Sequence, residues 1–115
     1  MEFNIRHRAG VTIFSASGEI IGDTSREFQE VVADQLASTS EAPKFLFDFT
    51  TVPMMDSTGL GVLVGTRLTI MPKGGQVALI NPSSKIKTLI AASKLTTMFE
   101  QYSNEDEAIA ALTTG

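Results

Sequence analysis

Apolar and polar residues alternate along the first part of the chain. The alternation covers residues 2–8 and residues 11–17, and a period of two is typical of a β-strand with one buried and one exposed face. Ala9 and Gly10 separate the two runs and form a short turn signal, so the runs are predicted to pair as a hairpin. Apolar residues then recur at helical spacing, which predicts a helix near residues 24–38.

Polar side chains at the start of this predicted helix have the chemistry of an N-cap. Asp23, Thr24 and Ser25 follow one another, and Glu27 lies three residues after Thr24. That spacing matches a capping box, in which a hydroxyl and a carboxylate each accept a hydrogen bond from a backbone N–H of the first turn. The pattern therefore predicts that Thr24 caps the helix.

Predicted strands and helices alternate over the rest of the chain. The phenylalanine-rich run at residues 44–49 is predicted to be a central strand that is buried on both faces. A helix is expected to begin at Ser57 or Thr58 and to run to about Met71, because the residues that follow include proline and glycine. The remaining predictions are strands at residues 76–80 and 98–102, a helix at residues 83–92, and a last helix that is capped by residues 103–107.

This order of elements predicts the fold class. The order β-β-α-β-α-β-α-β-α is typical of an α/β protein with a mixed, mainly parallel sheet covered by about four helices. The chain has 115 residues, of which 43% are hydrophobic and 19% are charged. These proportions are typical of a globular protein, and we expect residues 1–115 to form a single domain.

Composition narrows the functional classes. The formal net charge is −4 without a basic cluster, which argues against binding to nucleic acid or to an anionic membrane. The absence of cysteine excludes disulfides and thiol catalysis. The single histidine and the lack of acids at ligand spacing argue against a metal site. The N-terminus lacks the apolar core of a signal peptide, and the longest apolar stretch is too short and too polar to span a bilayer, so we expect a cytoplasmic protein without a cofactor.

A polar cluster lies at the junction between the predicted central strand and the next helix. Asp56, Ser57 and Thr58 follow one another there, and open α/β folds place functional sites at such junctions. All three residue types are favoured N-caps, although a helix start needs only one. A spare serine hydroxyl at a helix start could accept a phosphoryl group, which adds about −1.5 to −2 charges.

Two enzymatic interpretations of this junction match its motif poorly. A dinucleotide-binding fingerprint needs glycine at its first, third and sixth places. Gly59 and Gly61 meet the first two conditions, but Val64 occupies the sixth place. A nucleophile elbow needs glycine two residues before the serine as well as two residues after it, and Met55 occupies the earlier place. A small serine hydrolase or a nucleotide-binding enzyme is therefore a less favoured alternative, since His7 on the first strand is the only histidine.

Residues 47–64 resemble the signature region of the anti-sigma factor antagonists, the bacterial branch of the STAS domain family. Asp56-Ser57-Thr58-Gly59-Leu60-Gly61 is the most specific part of this resemblance. The segment Gly18-Glu19-Ile20 is similar to the family's segment before its first helix, and residues 74–81 match the strand after the signature helix. Ile21 stands where the family often has aspartate, with Asp23 two residues later.

The resemblance implies a regulatory protein that is not an enzyme. Such a STAS domain binds an anti-sigma factor with serine kinase activity and so releases a sigma factor. The kinase then phosphorylates the serine after the motif aspartate, here Ser57, and a phosphatase reverses the modification. The docking surface implied by the resemblance consists of Asp56, Ser57, Thr58, Gly59, Leu60 and Gly61, with Asp23 and Thr24 nearby. A STAS accessory or scaffold subunit of a transporter or stress-signalling assembly is the alternative that the sequence leaves open.

Overall fold

Strands and helices alternate in the predicted order in the computed structural model, which describes residues 2–38 and 41–114. The strands are β1 (Glu2–Arg8), β2 (Val11–Ser17), β3 (Lys44–Thr51), β4 (Gln76–Ile80) and β5 (Glu100–Tyr102). The helices are α1 (Asp23–Ala37), α2 (Ser57–Ile70), α3 (Ser84–Ala92) and α4 (Glu105–Thr113), and a short 3-10 helix, Met71–Lys73, follows α2.

Within residues 2–38 and 41–114 the sheet has five strands in the order β1-β2-β3-β4-β5. β1 and β2 are antiparallel, whereas the other neighbouring strands are parallel. The predicted mixed, mainly parallel sheet is therefore confirmed. Ala9 and Gly10 connect β1 to β2 with φ angles of 53° and 79°, and positive φ at both central residues is the geometry of a type I′ turn. That turn matches the right-handed twist of two paired strands.

Two hydrophobic cores lie on opposite faces of the sheet. The larger core joins the sheet to α1, α2 and α3, and it contains stacked or edge-to-face rings of Phe14, Phe28, Phe45, Phe47 and Phe49. The smaller core packs α4 against residues of β2, β3 and β4, namely Val11, Ile13, Leu46, Ala78 and Ile80. Helices on both faces explain why β3 is buried on both sides, as predicted.

Three local predictions differ from the structure. β2 is buried on both faces, because its Phe14 and Ala16 belong to the larger core; alternation along one strand did not reveal that its neighbours would place it inside the sheet. The capping box at Thr24 is wrong: α1 begins at Asp23 with Gly22 at the N-cap position and no side-chain cap. β5 begins at Glu100 rather than residue 98, because Phe99 turns into the larger core before pairing starts.

Candidate functional site

The loops that precede α1 and α2 lie side by side at one edge of the sheet. The N–H of Ile20 donates to the carbonyl oxygen of Met54 at 3.0 Å, and the N–H of Asp56 donates to the carbonyl oxygen of Ile20 at 3.1 Å. Ile20 and Met55 also form an isolated parallel bridge. These bonds extend the pairing of β2 and β3 beyond the strand ends, and they bring the starts of the two helices together.

The Asp56 carboxylate joins the starts of both helices. Asp56 is the N-cap of α2, and its Oδ1 accepts a hydrogen bond of 2.9 Å from the N–H of Gly59. The same oxygen accepts a hydrogen bond of 2.6 Å from the Ser25 hydroxyl in the first turn of α1. Oδ2 accepts a hydrogen bond of 2.9 Å from the N–H of Gly22. One side chain therefore satisfies donors from two helices.

These bonds determine the charge state of Asp56. Burial acts to raise the pKa of the carboxyl group, but the hydrogen bonds from Ser25 and from the backbone of Gly59, Gly22 and Thr58 together lower the pKa below its ordinary value of 3.8. Hydrogen bonds to a carboxylate favour its charged form. Asp56 therefore carries a negative charge at neutral pH, at the positive end of the α2 dipole.

Ser57 is the first residue of α2 and is exposed to solvent. Its hydroxyl has no hydrogen-bond partner among residues 2–38 and 41–114. Thr58 is also exposed. Because Asp56 alone caps the helix, the two neighbouring hydroxyls are not needed for capping. At the start of α2, the folded protein therefore has two hydroxyl groups that capping does not use, as the run of three cap-forming residues in the sequence indicated.

The glycine-rich part of the motif has both buried and exposed positions. Gly59 and Leu60 are buried, whereas Gly61 is exposed. A Cβ atom on Gly59 would lie 2.6 Å from Cγ of Met55 and 3.2 Å from Cγ2 of Ile20. Gly59 thus allows the start of α2 to approach the paired loops closely. Gly59 and Leu60 shape the surface from beneath, while the exposed residues form the surface itself.

The other predicted site residues lie at the start of α1. The Thr24 hydroxyl accepts a hydrogen bond of 2.8 Å from the N–H of Ile21 and lies 2.8 Å from the carbonyl oxygen of Glu19. Thr24 therefore closes the loop before α1. The Asp23 side chain is 84% exposed and forms an ion pair with Arg26 on the same helix. Ile21 is also exposed, so an apolar side chain lies where the family pattern often has an acid.

A shallow groove of about 400 Å³ runs between α1 and α2 beside this site. Thr58 and Gly61 line it from α2, and Gln29 and Ala33 line it from α1. Small side chains on α2 leave this space open, because the added Cβ of an alanine at Gly61 would meet no atom within 4 Å. The groove continues the exposed surface of Ser57 and Thr58 along the helix pair.

Sequence reasoning missed the role of Ser25 at this site. Its side chain is fully buried, and its hydroxyl contacts the Asp56 carboxylate and, at 3.1 Å, the carbonyl oxygen of Ile20. The sequence places Ser25 in a run of cap-forming residues, but no local pattern indicates that its partner lies on the next helix. Gly22 was missed for the same reason. Only the pairing of the two loops brings these groups to Asp56.

The structure does not place His7 beside Ser57, as a serine hydrolase site would require. His7 pairs with Thr12 near the hairpin turn, whereas the Ser17 end of β2 pairs with Thr51 on the side of the sheet that leads to Ser57. Within the described parts of the chain, no group of three or more His, Cys, Asp or Glu side chains could hold a metal ion. No described helix is long and apolar enough to cross a membrane.

Comparison with known sequences identifies the family. The sequence profile of the STAS domain matches residues 2–108. The chain belongs to the STAS domain family. A relative from Paenibacillus polymyxa, named anti-sigma F factor antagonist, is 28% identical over 112 residues, which are 97% of this chain and 95% of the relative. The relative thus matches the STAS chain along nearly its whole length.

Solved structures show that the STAS fold is shared. An anti-sigma-factor antagonist (STAS) domain protein from Planctomyces limnophilus superposes with a TM-score of 0.86 at 18% identity, covering 97% of this chain and 98% of that one. The Bacillus cell fate determinant SpoIIAA in its phosphorylated form superposes with a TM-score of 0.73 at 18% identity, covering 96% of this chain and 98% of that one. At these identities the likeness concerns the fold alone.

Proposed function

We propose that this STAS domain is an anti-sigma factor antagonist that phosphorylation of Ser57 switches off. In its unmodified form the protein binds an anti-sigma factor with serine kinase activity, and the sigma factor is released. The kinase modifies Ser57, and a phosphatase restores the binding form. The observation that carries this proposal is the free, exposed Ser57 hydroxyl at the first residue of α2. The relative named anti-sigma F factor antagonist supports the same class of partner.

Electrostatics at the helix start explain how one phosphoryl group would change binding. The ionised Asp56 carboxylate already accepts a hydrogen bond from the N–H of Gly59. A phosphate on Ser57 therefore adds about −1.5 to −2 charges beside an existing negative charge. The added charge lies on an exposed surface, outside the bonds that hold α1 to α2. Phosphorylation thus changes what a partner contacts and leaves the fold in place.

The proposed docking surface combines the starts of both helices. Ser57, Thr58, Gly61 and Asp23 are exposed and available to a partner. Four further residues of the predicted site hold this surface in shape: Asp56 through its bridging bonds, Thr24 through the loop before α1, and Gly59 and Leu60 by close packing. The domain itself performs no catalysis in this proposal, and its location is the cytoplasm, where sigma factors act.

The decisive experiment measures how two Ser57 variants bind the purified anti-sigma factor kinases of the host cell. Ser57→Ala should bind as the wild type does, because the hydroxyl makes no hydrogen bond to any described residue. Ser57→Asp should bind at least tenfold more weakly, a loss of about 1.4 kcal/mol, since a charge at an interface centre opposes association. Ser84→Asp is a matched control, because Ser84 is likewise the exposed first residue of a helix, α3.

Phosphorylation is tested separately with the same kinases and ATP. Mass spectrometry should locate the phosphate on Ser57 in the wild type and in Thr58→Ala, and should find none in Ser57→Ala. Equal affinity of Ser57→Ala and Ser57→Asp would refute the switch. Binding without any phosphorylation would instead favour the scaffold role, for which exposed Ile21 at the family's acidic position is the supporting observation.

A further inference from the structure

β1 forms one edge of the sheet, and no strand in the described parts of the chain pairs with its outer side. The strand has seven residues, Glu2–Arg8, and pairs with β2 in one continuous register without a bulge. It contains no proline. Natural proteins usually protect an open edge of this kind with charged side chains, a bulge, a proline or a covering segment, because unpaired backbone groups can bind another strand. Of these devices β1 has the charged side chains of Glu2, Arg6 and Arg8.

The hairpin turn determines which backbone groups of β1 point outward. A two-residue type I′ turn follows Arg8, and Arg8 pairs with Val11. The pair that closes such a turn exchanges both of its backbone hydrogen bonds, and bonded and non-bonded pairs then alternate along the strands. The even-numbered residues of β1 therefore bond to β2. The N–H and C=O groups of Phe3, Ile5 and His7 point away from the sheet.

We propose that β1 pairs with β1 of a second copy of this chain, antiparallel and centred on Ile5. In this register Ile5 lies opposite the partner's Ile5, and Phe3 lies opposite the partner's His7. All outward N–H and C=O groups of these residues are then bonded, because an antiparallel pair bonds its facing groups reciprocally. The two sheets become one continuous sheet related by a two-fold axis.

Charge complementarity supports the same register. Glu2 lies opposite the partner's Arg8 on both sides of the axis, and Asn4 lies opposite the partner's Arg6. Opposite charges at facing positions of paired strands are favourable. A shift of two residues in one direction places Arg6 opposite the partner's Arg6, and a shift in the other direction leaves the outward groups of His7 outside the Glu2–Arg8 pairing. Arg8 already contacts Glu105 and Asp106, and its side chain is still 44% exposed.

The packing of α1 against β1 is compatible with the proposed pairing of two β1 strands. The ring of Phe28 on α1 lies 5.8 Å from Phe3 on β1 and 5.7 Å from Phe47 on β3. The Phe28 ring therefore lies between β1 and β3, on the inner side of the edge strand. Phe3 and Ile5 are only partly buried and pack at the border of the larger core, so a second copy would cover apolar surface. The pairing uses residues of β1 and none of the residues proposed to bind the anti-sigma factor.

Sedimentation velocity over a range of concentrations tests this pairing on the full chain. The average mass of the wild type should rise from that of a monomer towards that of a dimer. Ile5→Pro should remain a monomer, because proline removes an N–H that points outward and deletes no bond to β2. Ile5→Val keeps the N–H and should still form dimers. Circular dichroism and thermal unfolding establish that each variant is folded.

A charge variant and hydrogen exchange give independent readouts. Glu2→Arg should raise the dissociation constant at least tenfold, because it places arginine opposite the partner's Arg8 twice per dimer. Amides of Phe3, Ile5 and His7 should exchange more slowly as the concentration of the wild type rises, and in Glu2→Arg the same protection should require at least tenfold higher concentration. A wild type that stays monomeric at millimolar concentration overturns the proposal. Protection of these amides that arises only when a different protein is added overturns it as well.

Discussion

The Ser25 hydroxyl donates a hydrogen bond of 2.6 Å to the Asp56 carboxylate, although the two residues are 31 positions apart in the chain. Ser25 belongs to the first turn of α1, and Asp56 precedes the first turn of α2. This contact turns a local helix cap into a link between two helices. Ser57 and the groove beside it lie on the helix pair that this link holds together.

A double-mutant cycle should detect this link. Asp56→Ala removes three hydrogen bonds to a charged group, one of which is the cap of α2, and should lower the free energy of unfolding by about 2–4 kcal/mol. Ser25→Ala should cost about 1–3 kcal/mol, because it removes a buried donor. The double variant should lose less than the sum, by about 1 kcal/mol. Chemical denaturation measures all four proteins.

Asn104→Ala is the matched control for that cycle. Asn104 caps α4 through the N–H of Glu107, and α4 packs in the smaller core, apart from α1 and α2. Its removal should cost about 1 kcal/mol, and it should be additive with Asp56→Ala. Full additivity of Ser25→Ala with Asp56→Ala would contradict the link between the two helices.

Stability should fall at acid pH because two carboxylates are held in their charged form. Hydrogen bonds from Arg6 and Arg8 lower the pKa of Glu105 below its ordinary value of 4.5, despite partial burial. The pKa of Asp56 is lowered from 3.8. A group whose pKa is lower in the folded state stabilises the protein above its unfolded pKa, and this stabilisation is lost as pH falls through the folded pKa. Unfolding free energy should therefore decrease from about pH 4.5 downward.

Glu105→Gln separates the two contributions. This variant should be less stable than the wild type at neutral pH, because Arg6 and Arg8 lose their charged partner. Its stability should also fall less steeply in acid, because one of the two linked protonations is missing. Glu107→Gln changes an exposed acid of the same turn and should keep the wild-type pH profile. A Glu105→Gln profile parallel to the wild type would contradict this account.

Alanine substitutions at two glycines of α2 should change the stability of the protein in opposite directions. Gly59→Ala places a Cβ 2.6 Å from Cγ of buried Met55 and should destabilise by about 1–3 kcal/mol. Gly65→Ala meets no atom within 4 Å, and should stabilise by about 0.5–1 kcal/mol, because alanine is the better helix former. Thermal unfolding of the two variants distinguishes close packing from helix propensity. Stabilisation by Gly59→Ala would contradict the packing argument.

Phe47 should be among the most sensitive positions of the core. Its ring lies 4.6 Å from that of Phe14 and 5.7 Å from that of Phe28, so it joins β2, β3 and α1. Phe47→Ala should cost about 3–5 kcal/mol through lost burial and a cavity. Leu68→Ala changes a side chain that is 60% exposed and should alter stability by less than about 0.5 kcal/mol. Urea unfolding of both variants provides the comparison.

Most of the fold follows from local patterns in the sequence. The hairpin was predicted with the bounds that the structure has, and α2 begins at Ser57, one of the two expected positions. These elements are determined by periodicity and by turn or cap residues close in sequence. The burial of both faces of β2 was not predictable in the same way, because Val11 and Ile13 are covered by α4, which lies near the other end of the chain.

The candidate site was likewise predictable from the sequence only in part. A surplus of cap-forming residues at Asp56, Ser57 and Thr58 is visible in the sequence, and it indicated a free hydroxyl. The failed capping box at Thr24 shows the limit of such spacing rules: the helix begins before Thr24, so its hydroxyl bonds backwards to Ile21. The bridge from Asp56 to Ser25 and Gly22 depends on tertiary pairing, which no local motif encodes.

The Ser57 hydroxyl makes no hydrogen bond to any described residue, and this has a consequence for how fast the protein is degraded. Proteases act on transiently opened forms, whose population follows the free energy of unfolding. Among the described residues the Ser57 hydroxyl holds no element in place, so a phosphoryl group there would break no internal bond. Its repulsion by Asp56 would oppose its attraction to the positive end of the α2 dipole, and the modified and unmodified proteins would then be degraded at similar rates. Repeated rounds of modification would leave the total amount of the protein constant, and only the ratio of its two forms would carry the signal.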